Sequence, residues 1–344
     1  MKTATLSSNA RSGQTAARPR VRSARNTPLE IRNVLVPIDF SEPSLQALEF
    51  ALPLLKQFRA ELHLVHVFEP DYPLASMAVM PLIIPELEVG ERVRRHLRVA
   101  AKKYSVDLRR ENIHTRRGRP FEEICRLARD KSVDLIIAAT RGNTGLKHLV
   151  LGSTAERVVR YSPCPVLIMR GVDRRKKASH NGKSRLVLRF EKILVPIDFS
   201  DCSMKGLAYA KALAKQCGSK LVLLHSVALQ YYVTNVEYAR YDLPLLMQQT
   251  EKATRNQMRD LIEKTDWDGI EVESLMQIGH AGQQVCARAI DHHADVIVTS
   301  THGTTGFEHI LLGSTAEYVV RHASCPVLVV PGHERPVLNS TKKN

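Results

Sequence analysis

The stretch NVLVPIDFSEPSLQALEFA at residues 33–51 returns as KILVPIDFSDCSMKGLAYA at residues 192–210, an offset of 159. Further along each copy, RGNTGLKHLVLGSTAERVVR (141–160) returns as HGTTGFEHILLGSTAEYVVR (302–321), and CPVLIM (164–169) as CPVLVV (325–330), both offset by 161. The change of two residues means one small length difference in a loop. A period near 160 marks a duplicated domain, since solenoid repeats run about 20–50 residues. A chain of 344 residues also exceeds what one hydrophobic core usually organises. The expected layout is a disordered basic tail (1–30), a first domain (31–170), a basic linker (171–190), a second domain (191–331) and a short disordered tail (332–344). The linker is read from Arg174-Arg175-Lys176-Lys177 and the turn signal Asn181-Gly182-Lys183.

Charge follows the same division. Of the net +15, +13 falls in the tails and linker. Basic tails solvate and attract polyanions weakly and salt-sensitively, so specific nucleic-acid binding is not expected. The N-terminal tail, rich in Arg and Ser with no acid before Glu30, reads as a solvated tail or a targeting segment. No apolar run reaches the ~18–20 residues of a membrane span; Met77–Pro85 is broken by Pro81. Six cysteines without a Cys-x-x-Cys are no disulfide framework. Cys125 and Cys286 sit in helical patterns as small hydrophobes, and a reducing, cytoplasmic setting is expected.

Within each copy the pattern alternates strand and helix. A first apolar strand (Val34–Ile38) ends at Asp39, and Ser41 and Ser200 cap the helices that follow. Second strands are expected at 62–68 and 221–227, helices near 93–104 and 250–263, and third strands ending at Gly118 and Gly279. Helices carrying Cys125 or Cys286 come next, then fourth strands (135–139, 296–300) and fifth strands (165–169, 326–330). Strands joined by helical crossovers predict a five-stranded parallel sheet with helices on both faces in each domain. Ligands of such sheets bind at the carboxyl ends of the strands.

Two constellations carry chemistry. Gly142-x9-Gly152-Ser153-Thr154 and its copy Gly303-x9-Gly313-Ser314-Thr315 follow the fourth strand and open a helix. A helix start offers free amides and a positive dipole end. Glycine lets backbone approach a phosphate closely, and the hydroxyls add donors. The plainer alternative is that Gly152 and Ser153 only turn and cap the helix. Neither a Walker A loop nor a Rossmann fingerprint is present. Asp39 and Asp198, at the ends of the first strands, can accept from ribose hydroxyls or an adenine amino group, or close a turn ahead of the serine. Arg141 and His302 either lean on phosphates or face solvent. His66 and His225 read as packed strand residues. The pair His292-His293 is no metal site, because adjacent helical residues do not share a face.

Val-Pro-Ile-Asp-Phe-Ser on a first strand, Gly-x9-Gly-Ser after a fourth and Cys-Pro-Val-Leu in a fifth resemble the universal stress protein family. The likeness covers about 31–170 and 190–331. It implies tandem domains of the adenine nucleotide alpha hydrolase-like fold, pairing through their last strands, and ATP as ligand, with or without magnesium. Gly142 and Gly303 fall on the second glycine of the family's Gly-x2-Gly-x9-Gly-Ser/Thr motif. Gly152 and Gly313 fall on the third, with Ser153 and Ser314 as the hydroxyl. The first glycine is replaced by Ala139 and Ser300, both small. The resemblance puts Asp39 and Asp198 against the nucleoside, and the backbone of Val67 or Ser226 against adenine.

No catalytic triad or magnesium-binding acidic cluster stands out, so no catalytic residue and no protein metal site is assigned. The leading expectation is an ATP-binding stress-response protein without dedicated catalysis. Its two domains would pair intramolecularly, with a homodimer and an unidentified protein partner as further contacts. A slow ATPase or phosphotransferase, a scaffold of the same fold without nucleotide, and polyanion binding through the tails stay open. The divergent segments 70–90 and 228–244, with Met77 and Met80 in one and Tyr231, Tyr232 and Tyr238 in the other, are expected to be lids or partner surfaces.

Overall fold

The apolar strands and amphipathic helices assemble as their spacing predicts. In the computed structural model, the described residues are 29–69, 86–104, 108–140, 151–169, 190–227, 239–301 and 312–332. Most of the linker and tails, and most of segments 70–90 and 228–244, lie outside them, as do Arg141, Gly142, His302 and Gly303. The first half runs β1 (Asn33–Pro37), α1 (Glu42–Phe58), β2 (Glu61–Phe68), α2 (Glu86–Lys103), β3 (Ile113–Arg117), α3 (Pro120–Asp130), β4 (Leu135–Ala139), α4 (Ser153–Tyr161) and β5 (Val166–Met169). The second runs β6 (Lys192–Pro196), α5 (Asp201–Cys217), β7 (Lys220–Val227), α6 (Ala239–Lys264), β8 (Val272–Ile278), α7 (Ala281–Asp291), β9 (Val296–Ser300), α8 (Ser314–His322) and β10 (Val327–Val330).

Each half is a parallel five-stranded sheet, and the two join into one sheet ordered β3-β2-β1-β4-β5-β10-β9-β6-β7-β8. The junction is antiparallel, with Leu328 opposite Leu167, Val327 opposite Ile168 and Val329 opposite Val166. Leu167 and Leu328 are the same position of the repeat, so the halves are related by a pseudo-twofold through that pair. The pairing through last strands is therefore realised within one chain. One face of the sheet is covered by α1, α2, α5 and α6, the other by α3, α4, α7 and α8. A single apolar core on each face runs through both halves. Across the junction the Phe50 and Phe190 rings lie 6.5 Å apart, and Arg321 of α8 reaches Glu156 of α4 at 3.4 Å.

Within each half the chain winds one way from β1 to β3 and the other way through β4 and β5. The reversal lies between β1 and β4 in the first half and between β6 and β9 in the second. A crevice at the carboxyl ends of the strands opens where the order reverses.

The outer strands of the first half hold a feature the repeat does not share. His63 of β2 and His114 of β3 face each other, Nδ1 to Nε2, at 3.2 Å, where the second half has Val222 and Leu275. Burial foremost, then the His63 charge, holds the His114 imidazole down at about 4; burial also lowers His63. In the unfolded chain both titrate near 6.5. Between pH 6.5 and 4 the unfolded state therefore binds more protons, and acid favours unfolding. This contribution is complete above about pH 6.5 and is lost as pH falls toward 4. Thermal midpoints measured across that window should drop, and His114→Gln should flatten the decline.

Candidate functional site

The Val-Pro-Ile-Asp turns fold identically in the two halves. Asp39 Oδ1 accepts from the Ser41 amide (3.0 Å) and hydroxyl (2.5 Å), and Asp198 Oδ1 from those of Ser200 (3.0 and 2.6 Å). Ser41 and Ser200 then cap α1 and α5, accepting from Ser44 and Ser203 amides. The turn-closing role is thus present in the structure, with one oxygen of each carboxylate committed to it. Between each Asp and Ser sits a phenylalanine, Phe40 or Phe199, at φ +63°. Positive φ is uncommon for a bulky residue and costs roughly 1–3 kcal/mol. The rings pack on His66 and His225, with centroids 5.0 and 5.1 Å apart. Those histidines donate from Nδ1 to the Ile38 and Ile197 carbonyls at 2.7 and 2.8 Å. Burial lowers the His225 pKa. Both histidines are structural ties, as their strand positions suggest. Nothing in the residue type foretells the phenylalanine geometry; its recurrence in both copies was the available signal.

The starts of α4 and α8 form the second wall. The plainer alternative, that Ser153 caps the helix, does not hold: the N-cap positions are Gly152 and Gly313, with no side-chain cap, and Ser153 and Ser314 begin the helices. Gly152 and Gly313 donate to the Thr140 and Thr301 carbonyls, both at 2.7 Å, which ties each helix start to the end of β4 or β9. The amides of Ser153, Thr154 and Ala155, and of Ser314, Thr315 and Ala316, have no intrahelical acceptor by helix geometry, and glycine has no side chain to offer one. Each start is therefore a cluster of donors beside the switch point.

In the second half these parts enclose a cavity of about 170 Å³. The ends of β6 (Asp198), β7 (Ser226) and β9 (Ser300), the first turns of α7 (Ala281, Val285) and α8 (Gly313–Ala316), and Ile197 and Leu224 line it. Ser226 Oγ donates to the Gly279 carbonyl at 2.9 Å. In the first half Ser153 and Thr154 border a different hollow of about 490 Å³ with Gly118, Arg119, Phe121 and Arg157. Asp39 closes the end of β1, while Val67 and Ala139 lie on β2 and β4. Of the residues singled out in the sequence, the structure groups Asp198, Ser226, Ser300, Gly313, Ser314 and Thr315 around one cavity. Gly118 and Gly279, at φ +145° and +133°, make the turns into α3 and α7, positions that favour glycine.

Sequence spacing gave no sign of what sets these helices against each other. A Cβ on Gly282 of α7 would lie 2.7 Å from the Tyr318 ring of α8. In the first half Phe121 occupies the matching place and Arg157 lies over its ring at 5.1 Å. Gly282→Ala should push α8 away from α7 and lower stability by about 1–3 kcal/mol, read from the urea midpoint.

Among the described residues no three His, Cys, Asp or Glu side chains gather to hold a metal, and no helix is long and apolar enough to cross a membrane. None of the six cysteines is in a disulfide; burial pushes Cys164 and Cys325 up to about 12, which makes them poor nucleophiles.

Comparison with known proteins agrees with this architecture. The sequence profile of the universal stress protein family matches residues 30–170 and 189–331. A universal stress protein of Mycolicibacterium smegmatis is 27% identical over 306 residues, covering 86% of this chain and 96% of its own. One from Methanocaldococcus jannaschii is 33% identical over 142 residues, 40% of this chain and 82% of its own. The crystal structure of a universal stress protein from Archaeoglobus fulgidus superposes with a TM-score of 0.58 at 23% identity, covering 88% of this chain and 97% of that one. With the family profile matched twice in succession, on two halves of like topology, this chain belongs to the universal stress protein family as a tandem member.

Proposed function

We propose that the chain binds an adenine nucleotide, ATP foremost, at the carboxyl end of each half-sheet and acts as a nucleotide-dependent regulator of a stress response. The observation that carries this reading is the uncapped helix start at Gly313. Three amides without intrahelical acceptors, two hydroxyls and the positive end of α8 converge on a cavity that Asp198 and Ser226 also line. At about 170 Å³ the space is smaller than the ~300–1,000 Å³ that encloses a whole ligand. It suits one end of a nucleotide, with phosphates running along the start of α8. The carboxylate of Asp198, at the cavity wall, suits a ribose hydroxyl or an adenine amino group. Gly142, Gly303, Arg141 and His302, which lie outside the described residues, are proposed as further phosphate contacts. Magnesium would be held chiefly by the phosphates, a common arrangement for that ion.

Binding through backbone donors does not by itself stabilise a transition state, so the role proposed is occupancy rather than turnover. Freshly purified protein, denatured and analysed by mass spectrometry, should release an adenine nucleotide, and added ATP should raise the melting temperature. Protein that carries none and shows no shift would point instead to a scaffold of the same fold. Phosphate release over many turnovers, absent in a Gly152→Val, Gly313→Val control, would establish an ATPase.

A further inference from the structure

The two halves share a fold but not a charge. Residues 91–131 hold fourteen Lys and Arg against six Asp and Glu, whereas the matching stretch 250–292 holds five against eight. In the fold part of this excess lies on α2 and the edge strand at the outer end of the first half, and part on α3 across the sheet. Arg92, Arg95, Arg98 and Lys102 project from α2 into solvent, and the edge strand β3 ends in Arg117, with Arg109, paired with Glu111 at 3.7 Å, shortly before it. Among the described residues, no acidic side chain lies within ion-pair distance of the four on α2.

We propose that this face of the first half binds the phosphate backbone of a nucleic acid, without reading its sequence. Three observations favour that partner. Three of those four exposed cations on α2 are arginines, whose planar fork matches phosphate oxygens. The four on α2 run along one exposed side for ten residues, about 15 Å, which is roughly four nucleotide steps of one strand at ~3.4 Å each. Among the described side chains of α2 there is little to insert into a lipid surface: Leu97 and Ala101 are buried against the sheet, and Val99, 62% exposed, is the one large apolar group in solvent. The four cations of α2 line neither of the two hollows, so the surface does not depend on the nucleotide reading.

The test uses the full chain and fluorescently labelled 20-nucleotide single strands and duplexes of mixed sequence, titrated by anisotropy between 50 and 200 mM salt. The triple variant Arg95→Gln, Arg98→Gln, Lys102→Gln should weaken binding at 50 mM about tenfold or more, and reduce the slope of log affinity against log salt by about 2–3. Arg95→Lys with Arg98→Lys should keep most of that slope. Circular dichroism and the melting temperature confirm that each variant is folded. A second variant, Arg18→Gln, Arg20→Gln, Arg22→Gln, gauges the tail. Unchanged affinity and slope in the α2 variant, or loss caused by the tail variant alone, would overturn the proposal. So would binding to phosphatidylserine vesicles with no binding to either oligonucleotide.

Discussion

Replacing Gly313 with Val should abolish nucleotide binding in the second half while leaving the protein folded. Gly313 has φ −58° and ψ 144°, a backbone region open to any residue, so a β-branched side chain causes no backbone strain there. Its carbonyl still accepts the Glu317 amide that starts α8. What changes is space: the isopropyl group enters the mouth of a cavity lined by Gly313, Ser314 and Thr315 and stands between any phosphate and the amides of the first turn. The affinity of this half for ATP should fall by tenfold or more, at least ~1.4 kcal/mol, as measured by calorimetry. With ATP at a hundred times its dissociation constant, a bound site stabilises by about 2.7 kcal/mol, so the thermal shift reports the same loss. Gly152→Val should act alike on the first half, and the double variant should show no shift. Undiminished affinity in the double variant would remove the phosphate from these helix starts.

The largest stability effect is expected at the junction. Leu328→Ala should cost about 2–5 kcal/mol, the range for a fully buried leucine. Leu328 is 4% exposed and lies in the core beneath α1 and α5, opposite its own repeat equivalent Leu167. The void would open where the two halves meet, among the buried residues of the shared core. Denaturant unfolding followed by fluorescence and circular dichroism should show a lower midpoint. The two probes should also part company, because the variant weakens what makes the halves unfold together. A change below about 1 kcal/mol would mean the junction contributes little beyond its strand pairing.

Much of this architecture was legible because it was written twice. The repeat itself, the strand-helix alternation, the serine caps after Asp39 and Asp198, and the apolar last strands all follow from local pattern, and the structure has them at nearly the expected residues. The features that were not legible depend on register between distant segments. His63 and His114 are 51 residues apart and meet only because β2 and β3 pair in one register. The contact of Gly282 with Tyr318 depends on how closely two helices approach. Ser153 looked like a cap because serine usually is one, yet Gly152 holds that place, since its amide is drawn to the Thr140 carbonyl. The positive φ of Phe40 runs against its residue type and is sustained by the histidine beneath its ring. The basic face of the first half was masked by totals, because a net charge summed over a domain says nothing about which side of it carries the excess.

The strand pairing of Leu167 with Leu328 has an evolutionary corollary. A homodimer built on the same edge must write every substitution twice, once in each subunit, so a change useful on one side is imposed on the other. Fusion into one polypeptide lifts that constraint. The arginine at 157 could become a tyrosine at 318, and a stretch rich in cations in one half could be matched by one with more acid than base in the other, without either half having to tolerate the alteration of its twin.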